Sequence, residues 1–471
     1  MIEPARARET HGIWLLTLLG LTALRLILAG IIPLAPDEAY YWLWSQHLQA
    51  GYYDHPPMVA LFIRAGTLLA GSTSFGIRLS APLSAASGSY FIWRAAEDFC
   101  PDRHAGLIAA GLFNATLIAG AGAILITPDT PLLLFWSAAI AATGRLWATR
   151  DRRWWLAIGG AVGCALLSKY TAVLLAAALG LWLFTSSEGR RQLKTPWPWA
   201  GLTLALAIFA PNLEWNQAHH WVSYLKQGGR VAQFDPSRAA QFFGELILGQ
   251  IGLVTPIIFC LFTYAIWRLC RARNAVAQLL LWLTLLPAAV FLEHACFDRV
   301  QPNWPAIIYP GTCIAAACLP AATLGTWLKP ALALGFGATL LVYAQSAAAL
   351  FPLPPSRDPT ALQLAGWNAF STQLALYQAP FLTSDDYATT AELAFHAPQG
   401  TVVAGFDPRW QYFSFPASTT LAGKSGILVT RRAGTACPIP LGTLTRNSSR
   451  GPVKTYRLCS FIATSQGSLL P

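Results

Sequence analysis

Along the chain, long apolar segments alternate with short polar loops. Residues 105–126, for example, carry no charged side chain, and about 18 such residues cover most of a ~30 Å hydrocarbon core. The pattern predicts a mainly α, polytopic membrane protein with about eleven transmembrane helices, and up to about 13 if shorter segments also span. The predicted spans lie near 12–33, 78–97, 104–122, 128–148, 153–169, 171–187, 197–213, 240–267, 276–292, 304–321 and 325–350.

Basic residues cluster between these spans, at 145–153, 190–194 and 268–273. Because Lys and Arg in short loops mark the cytoplasmic side, these loops and the N-terminus are expected inside. The polar stretches 34–56, 123–129, 214–239 and 293–303 and the chain after residue 350 are then expected outside. The apolar segment 57–72 does not fit this count, and it is predicted to be a re-entrant or surface helix.

The character of the chain changes after the last predicted span. Pro352, Pro354 and Pro355 end that helix, and short β-rich runs alternate with turn residues beyond them. We therefore expect two domains, a transmembrane domain at 1–350 and a small extracytoplasmic α/β domain at 351–471. Cys437 and Cys459 share this polar region and are expected within disulfide reach, with Cα atoms no more than about 7 Å apart. Most other cysteines lie in apolar segments and are expected to act as small core residues.

Composition agrees with a membrane protein, since 55% of the 471 residues are hydrophobic and 11% are charged. The net charge of +11 is explained by the inside loops, and no nucleic-acid partner is needed to account for it. Membrane lipids are the expected surroundings.

The first outer loop concentrates acidic and aromatic residues. Asp37 and Glu38 precede a short aromatic helix, and Tyr53, Asp54 and His55 follow it. Placing acidic side chains next to an apolar span costs free energy, because their charges lie near hydrocarbon. Acids found at such a position therefore indicate a functional site. Helix capping is the alternative for the first pair, because acidic residues are favourable in a first helical turn.

Two further charges interrupt apolar sequence. Asp129 lies in the turn between two spans, where an N-cap is the alternative explanation. Lys169, followed by Tyr170, either reaches for the interface or meets an anion such as a lipid phosphate. Weaker candidates on the expected outer face, where aromatic residues also belt membrane interfaces, are Arg230, Arg299, Asn303 and Trp304.

No phosphate-cradling glycine-rich loop, paired Cys-x-x-Cys site or Gly-x-Ser-x-Gly elbow occurs in the sequence. Six motifs instead occur in order, PDEAYYW (36–42), YDHPP (53–57), TPDTP (127–131), SKYT (168–171), WVS (221–223) and PNWP (302–305). Together they resemble the bacterial branch of the protein O-mannosyltransferase superfamily, and in particular the 4-amino-4-deoxy-L-arabinose lipid A transferases and related GT-C glycosyltransferases.

The resemblance implies a GT-C fold, a polyprenyl-phosphate (undecaprenyl) sugar donor and an active site on the periplasmic side of the bacterial inner membrane. It also implies that Asp54 and Asp129 can hold a divalent cation, with Mg²⁺, Mn²⁺ and Zn²⁺ as candidates. The arabinose transferases carry Glu-Lys-Pro where this chain has Asp54, His55 and Pro56, so the resemblance does not carry aminoarabinose specificity over.

Glycosyl transfer from a phosphate carrier needs a base on the acceptor and positive charge at the leaving group. Asp37 and Glu38 are the expected catalytic carboxylates, and Asp37 is the expected base. The residues expected to line the acceptor cavity are Tyr53, Arg299, Asn303 and Trp304. The donor phosphate is expected to meet His55, Lys169, Tyr170 and Arg230.

Two other functions stay open at this point, a transporter or lipid-carrier flippase and a non-enzymatic scaffold for envelope assembly, because intramembrane charges also mark permeation paths. The sequence does not name the sugar. By analogy, lipid A or lipopolysaccharide is the first candidate acceptor, ahead of another envelope glycan or a protein hydroxyl.

Overall fold

The computed structural model describes residues 3–101, 104–228, 235–463 and 467–471, with side chains from residue 12 onward. Arg230, a predicted phosphate contact, lies outside these residues. The chain forms two compact units. The first contains Met1–Ile27, Asp54–Val59 and Leu79–Val342, and the second contains Leu28–Tyr53, Ala60–Arg78 and Tyr343–Pro471. The second unit therefore includes the first outer loop as well as the predicted C-terminal domain.

Helices make up nearly all of the first unit and part of the second. In chain order the α-helices are α1 (Glu3–Ile31), α2 (Pro36–Gln46), α3 (Met58–Ala70), α4 (Ser74–Arg78), α5 (Ser80–Phe99), α6 (Ala105–Ala115), α7 (Leu117–Gly120), α8 (Asp129–Thr149), α9 (Trp154–Leu166), α10 (Val173–Thr185), α11 (Ser187–Leu193), α12 (Trp197–Ala218), α13 (Val222–Gly228), α14 (Pro236–Val254), α15 (Pro256–Arg271), α16 (Ala275–Ala295), α17 (Tyr309–Ala317), α18 (Ala321–Ala348), α19 (Pro359–Leu364), α20 (Trp367–Ala375) and α21 (Tyr387–His396). Short 3₁₀ helices cover Ala121–Ile124, Tyr170–Ala172, Trp304–Ile308, Pro408–Tyr412 and Ser418–Leu421.

Four helices among the described residues are long and apolar enough to cross a membrane, and the number rises to seven if each of three bent helix pairs is one span. The predicted total of about eleven spans therefore stays a prediction. The four helices, or the parts of them that qualify, are Gly12–Ile31, Asp129–Thr149, Ala275–Ala295 and Ala321–Ala348.

Two predicted spans are not straight helices. The span 240–267 divides into α14 and α15, which are bent by 107°, because Thr255 adopts a positive φ of 70° and Pro256 begins the next helix. The span 104–122 divides at Thr116, whose extended backbone ends α6 and whose hydroxyl caps α7. By contrast, the segment 57–72, predicted to be a re-entrant or surface helix, forms the short helix α3, and its place relative to the membrane stays a prediction.

Small residues let helices of the first unit approach closely. A Cβ added at Gly159 of α9 would lie 2.1 Å from the carbonyl oxygen of Gly201 in α12, and one added at Gly335 of α18 would lie 2.0 Å from that of Ala115 in α6. Close packing of this kind is a main source of helix association in lipid, where the hydrophobic effect between helices is absent. Buried side chains of the same unit, including Trp136 and Trp155, fill the remaining space.

The second unit contains a six-stranded mixed sheet. Its strands are β1 (Leu382–Ser384), β2 (Val403–Gly405), β3 (Ser425–Thr430), β4 (Ile439–Ser448), β5 (Gly451–Ile462) and β6 (Ser468–Leu470), in the order β4-β5-β3-β1-β2-β6. Strand β1 pairs in parallel with β2 and β3, and the outer pairs are antiparallel. The predicted mixed α/β character is confirmed.

Two disulfides connect cysteines of the described residues. Cys437 and Cys459 are bonded with Cα atoms 5.3 Å apart, which confirms the prediction for this pair. Cys100 and Cys318 also form a disulfide, across 218 residues of sequence. The expectation that cysteines of the apolar segments act only as core residues was wrong for this second pair, because the packing of the first unit places Cys100, at the end of α5, beside Cys318, just after α17.

Candidate active site

A buried ion pair lies in the first unit where two helices meet polar turns. Asp129 is the first residue of α8, and Lys169 follows α9 in extended backbone. The Lys169 ammonium nitrogen lies 2.7 Å from Asp129 Oδ1, and the two residues are 5% and 9% exposed. A buried lysine is stable as a cation only with such a partner.

Asn303 and Trp304 complete this cluster. Asn303 Nδ2 donates to the second oxygen of Asp129 at 2.5 Å, and the Lys169 ammonium lies 5.9 Å from the Trp304 ring centroid. The structure thus brings together four residues that the sequence placed in different roles, as phosphate contact, metal ligand and cavity lining.

These contacts bear on the predicted divalent cation. Each oxygen of Asp129 accepts a hydrogen bond, one of them from an ammonium group, and a second cation at the same oxygens would be repelled. The described residues contain no group of three or more His, Cys, Asp or Glu side chains that could hold a metal ion. The observed arrangement of Asp129 does not fit a cation ligand, and metal dependence stays a prediction for Asp54 and Asp129.

The Asp54 loop is fixed to the same region of the first unit. The backbone N–H of Met58 donates to the carbonyl of Leu167 at 3.0 Å, two residues before Lys169. Gln227 Nε2 donates to the backbone carbonyl of Asp54 at 2.7 Å. Asp54 and His55 are half-buried, so their side chains keep some access to solvent or ligand.

Tyr170 lies beside the Lys169 cluster in sequence and has polar and aromatic neighbours of its own. Asn216 Nδ2 donates to its hydroxyl at 3.1 Å, and its ring lies 4.6 Å from that of Tyr224. Arg299, which was expected to line the acceptor cavity, forms an exposed ion pair with Glu245, with Nε 2.6 Å from Oε2, and its role in the cavity stays a prediction. An exposed pair of this type contributes little to stability.

In the second unit, the structure gives the adjacent acids Asp37 and Glu38 different environments. Glu38 is 1% exposed and accepts from Arg78 Nε at 2.7 Å and from the backbone N–H of Ala35 at 2.9 Å. Arg78 is also buried and donates to the carbonyl of Pro33 at 2.8 Å. Glu38 therefore holds the start of α2 and satisfies a buried cation, whereas Asp37 is exposed.

The exposed carboxylate of Asp37 has partners from the C-terminal part of the same unit. The Tyr387 hydroxyl donates to Asp37 Oδ1 at 3.0 Å. The Arg409 guanidinium lies 4.0 Å from the centroid of the Tyr387 ring and 5.6 Å from that of Tyr53. The predicted cavity residue Tyr53 also stacks on Tyr412, with centroids 5.4 Å apart.

Sequence reasoning missed Arg78, Tyr387 and Arg409. A lone arginine at the start of the apolar span 78–97 was a usable signal for Arg78, because a charge at such a position needs a partner. No signal pointed to Tyr387 or Arg409, which lie about 350 residues from the first outer loop in sequence.

Comparison with known proteins agrees with this architecture. A family model described as dolichyl-phosphate-mannose-protein mannosyltransferase matches residues 54–215, which include Asp54, Asp129 and Lys169. The lipid A galacturonosyltransferase RgtD of Rhizobium johnstonii is 28% identical over 314 residues, and the match covers 65% of this chain and 65% of that relative.

Crystal structures of ArnT from Cupriavidus metallidurans share the fold. The apo structure superposes with a TM-score of 0.65 at 14% identity and covers 95% of this chain and 98% of ArnT. The structure bound to undecaprenyl phosphate gives 0.63 at 15% identity, with 96% and 98% covered. The ArnT structures show a shared fold. Together with the family model and the RgtD match, they confirm the predicted resemblance of the chain to the GT-C, lipid A transferase-like glycosyltransferases.

Proposed function

We propose that this protein is a glycosyltransferase of the bacterial inner membrane. It transfers a sugar from a polyprenyl-phosphate carrier to lipid A or lipopolysaccharide on the periplasmic side. Undecaprenyl phosphate is the first candidate for the carrier. The observation that carries the proposal is the buried Lys169 of the first unit, which donates to one oxygen of Asp129 while Asn303 donates to the other oxygen of that carboxylate. A fixed cation in an apolar surrounding suits the phosphate of a lipid carrier.

The proposed reaction is a single displacement with inversion. Asp37 accepts the proton of an acceptor hydroxyl, and that oxygen attacks the anomeric carbon of the donor sugar. The bond from this carbon to the phosphate oxygen breaks, and the polyprenyl phosphate leaves with the electron pair. Lys169 stabilises the negative charge of the leaving phosphate, and the Asp129 carboxylate orients the Lys169 ammonium group until the phosphate arrives.

The exposures of the two first-loop acids support Asp37 as the base. A base must reach its substrate, and Asp37 is exposed while Glu38 is buried against Arg78. Within the proposal, Glu38 orients the start of α2, which carries Asp37 in its first turn.

For the sugar we propose a hexuronic acid. The support is the name of the relative, a lipid A galacturonosyltransferase that is 28% identical to this chain. The departure at His55 from the arabinose transferase motif agrees with a donor other than aminoarabinose.

The test uses the full chain purified into lipid nanodiscs, a synthetic polyprenyl-phosphate hexuronic acid and lipid A, with mass spectrometry of the product. We expect lipid A to gain one sugar, and Asp37→Asn to lower the rate by about 10²–10⁴-fold, the range for loss of a general base. Asp151→Asn, an exposed acid paired only locally with Arg153, is the control and should retain the rate.

Glycolipids from cells with and without the gene identify the sugar independently of the donor chosen for the assay. A difference of one neutral sugar would replace the hexuronic acid but keep the transferase. Wild-type protein that transfers no sugar and yet moves the carrier lipid between leaflets of a vesicle would overturn the proposal in favour of a flippase.

A further inference from the structure

The first turn of α21 places Tyr387 against Asp37. Asp386 caps this helix, and its side chain accepts from the backbone N–H and the hydroxyl of Thr389 at 3.0 and 2.7 Å. The cap fixes the direction of the helix start, and Tyr387 is the first helical residue. Its hydroxyl therefore reaches Asp37 Oδ1 at 3.0 Å from a fixed backbone position.

The Tyr387 ring is held by neighbours of the same unit. The ring of Tyr40, which is 2% exposed, lies 4.7 Å away, and the Arg409 guanidinium lies 4.0 Å from the Tyr387 centroid. Arg409 is placed by Asp407, whose carboxylate accepts from the backbone N–H of Arg409 at 2.9 Å and from its Nε at 3.4 Å. The Arg409 side chain is only 13% exposed, so it has little freedom to leave this position.

We propose that Tyr387, supported by Arg409, is a positioning residue for the base Asp37, a role that rests on the proposed function. A phenol that donates to one carboxylate oxygen fixes the rotation of the carboxylate, and so the direction from which it meets the acceptor hydroxyl. The same bond favours the charged form of the carboxylate, which is the form that acts as a base. A guanidinium over the phenol face is attracted by the ring, and its positive charge makes the hydroxyl a stronger hydrogen-bond donor.

The same geometry would be seen if the hydrogen bond between Tyr387 and Asp37 only held α2 and α21 together and had no role in catalysis. The two roles differ in what the loss of the hydroxyl changes. Loss of a structural tie lowers the amount or thermal stability of folded protein, whereas loss of positioning lowers kcat and shifts the pH at which the base becomes active.

The test is Tyr387→Phe in the full chain, which keeps the ring and removes only the hydroxyl. We expect kcat to fall about tenfold, in line with the loss of one hydrogen bond to a charged group, with the donor KM within about twofold of wild type. The acidic limb of the kcat profile should move to higher pH, because the carboxylate loses a donor that favours its charged form. Tyr377→Phe, at a tyrosine 48% exposed in the same unit, is the matched control and should match wild type in both measurements.

Arg409→Gln provides a second variant and should shift the acidic limb in the same direction by a smaller amount, while Arg432→Gln at an exposed arginine should not. An unmoved acidic limb in Tyr387→Phe, or a raised donor KM with unchanged kcat, would overturn the inference and leave the proposed function intact. Full transfer by Asp37→Asn would instead show that Asp37 is not the base, and this inference would fall while the proposed transferase function stood.

Discussion

Glu392 of α21 allows a direct test of how the burial of an acidic side chain changes the stability of the protein with pH. Its side chain is fully buried, with Oε2 3.3 Å from His396 Nε2. Burial raises the pKa of Glu392 from its ordinary value of 4.5 to about 7, and the neighbouring His396 and Arg446 only partly offset the effect. The ionised form of this residue is therefore unfavourable in the folded protein.

The magnitude follows from linkage. A difference of about 2.5 pKa units between the folded and unfolded chain corresponds to about 3 kcal/mol. Because the pKa in the folded state is the higher one, the stabilising contribution of the bound proton is complete below about pH 4.5 and is lost as the pH rises through about 7. The native protein should accordingly lose stability between these values.

The perturbation is Glu392→Gln, which keeps the size of the side chain and removes the ionisation. We expect the variant to be more stable than wild type by up to about 3 kcal/mol at pH 8 and nearly equal to it at about pH 4. Thermal unfolding of the detergent-purified full chain at a series of pH values measures the difference, and Asp151→Asn serves as the exposed-acid control. A variant that is less stable than wild type at pH 8 would refute the reasoning, since it would mean that the ionised Glu392 is held favourably.

Two further substitutions test the buried charges. Lys169→Met removes the cation proposed for the donor phosphate, so we expect a higher donor KM and a kcat lower by at least about tenfold; equal kinetics in purified protein would exclude the lysine from the reaction. Arg78→Met leaves Glu38 buried without its cation and should destabilise the protein by about 3 to 5 kcal/mol, as read from unfolding temperature, while Arg78→Met combined with Glu38→Gln should recover much of that loss. Failure of the second change to recover stability would mean that Arg78 acts through its backbone carbonyl contacts instead.

Much of the architecture follows from local sequence. The apolar runs predicted the helices, the prolines after residue 350 predicted the change to a mixed domain, and the composition of that domain predicted a disulfide between Cys437 and Cys459. These features depend on residues close together in the chain or on the solvent each segment requires, and a pattern of hydrophobic and polar positions records both.

The breaks within spans were harder to predict. A single positive φ at Thr255 turns the chain between α14 and α15, and an isolated Thr-Pro pair inside an apolar run does not distinguish a kinked span from two helices. Likewise, Cys100 and Cys318 are two apolar-segment cysteines among nine, and only packing reveals that they meet.

The sequence by itself determined which residues carry charge at the edges of apolar segments, and so it named Asp37, Glu38, Asp129 and Lys169 as candidates. Only the tertiary structure decided their partners. It buried Glu38 against Arg78, left Asp37 exposed beside Tyr387, and gave Asp129 both Lys169 and Asn303 as partners. The physical reason is that the cost of a charge near hydrocarbon is a local property and appears in the sequence, whereas its compensation comes from residues 40 to 350 positions away, which the fold alone brings within hydrogen-bond distance.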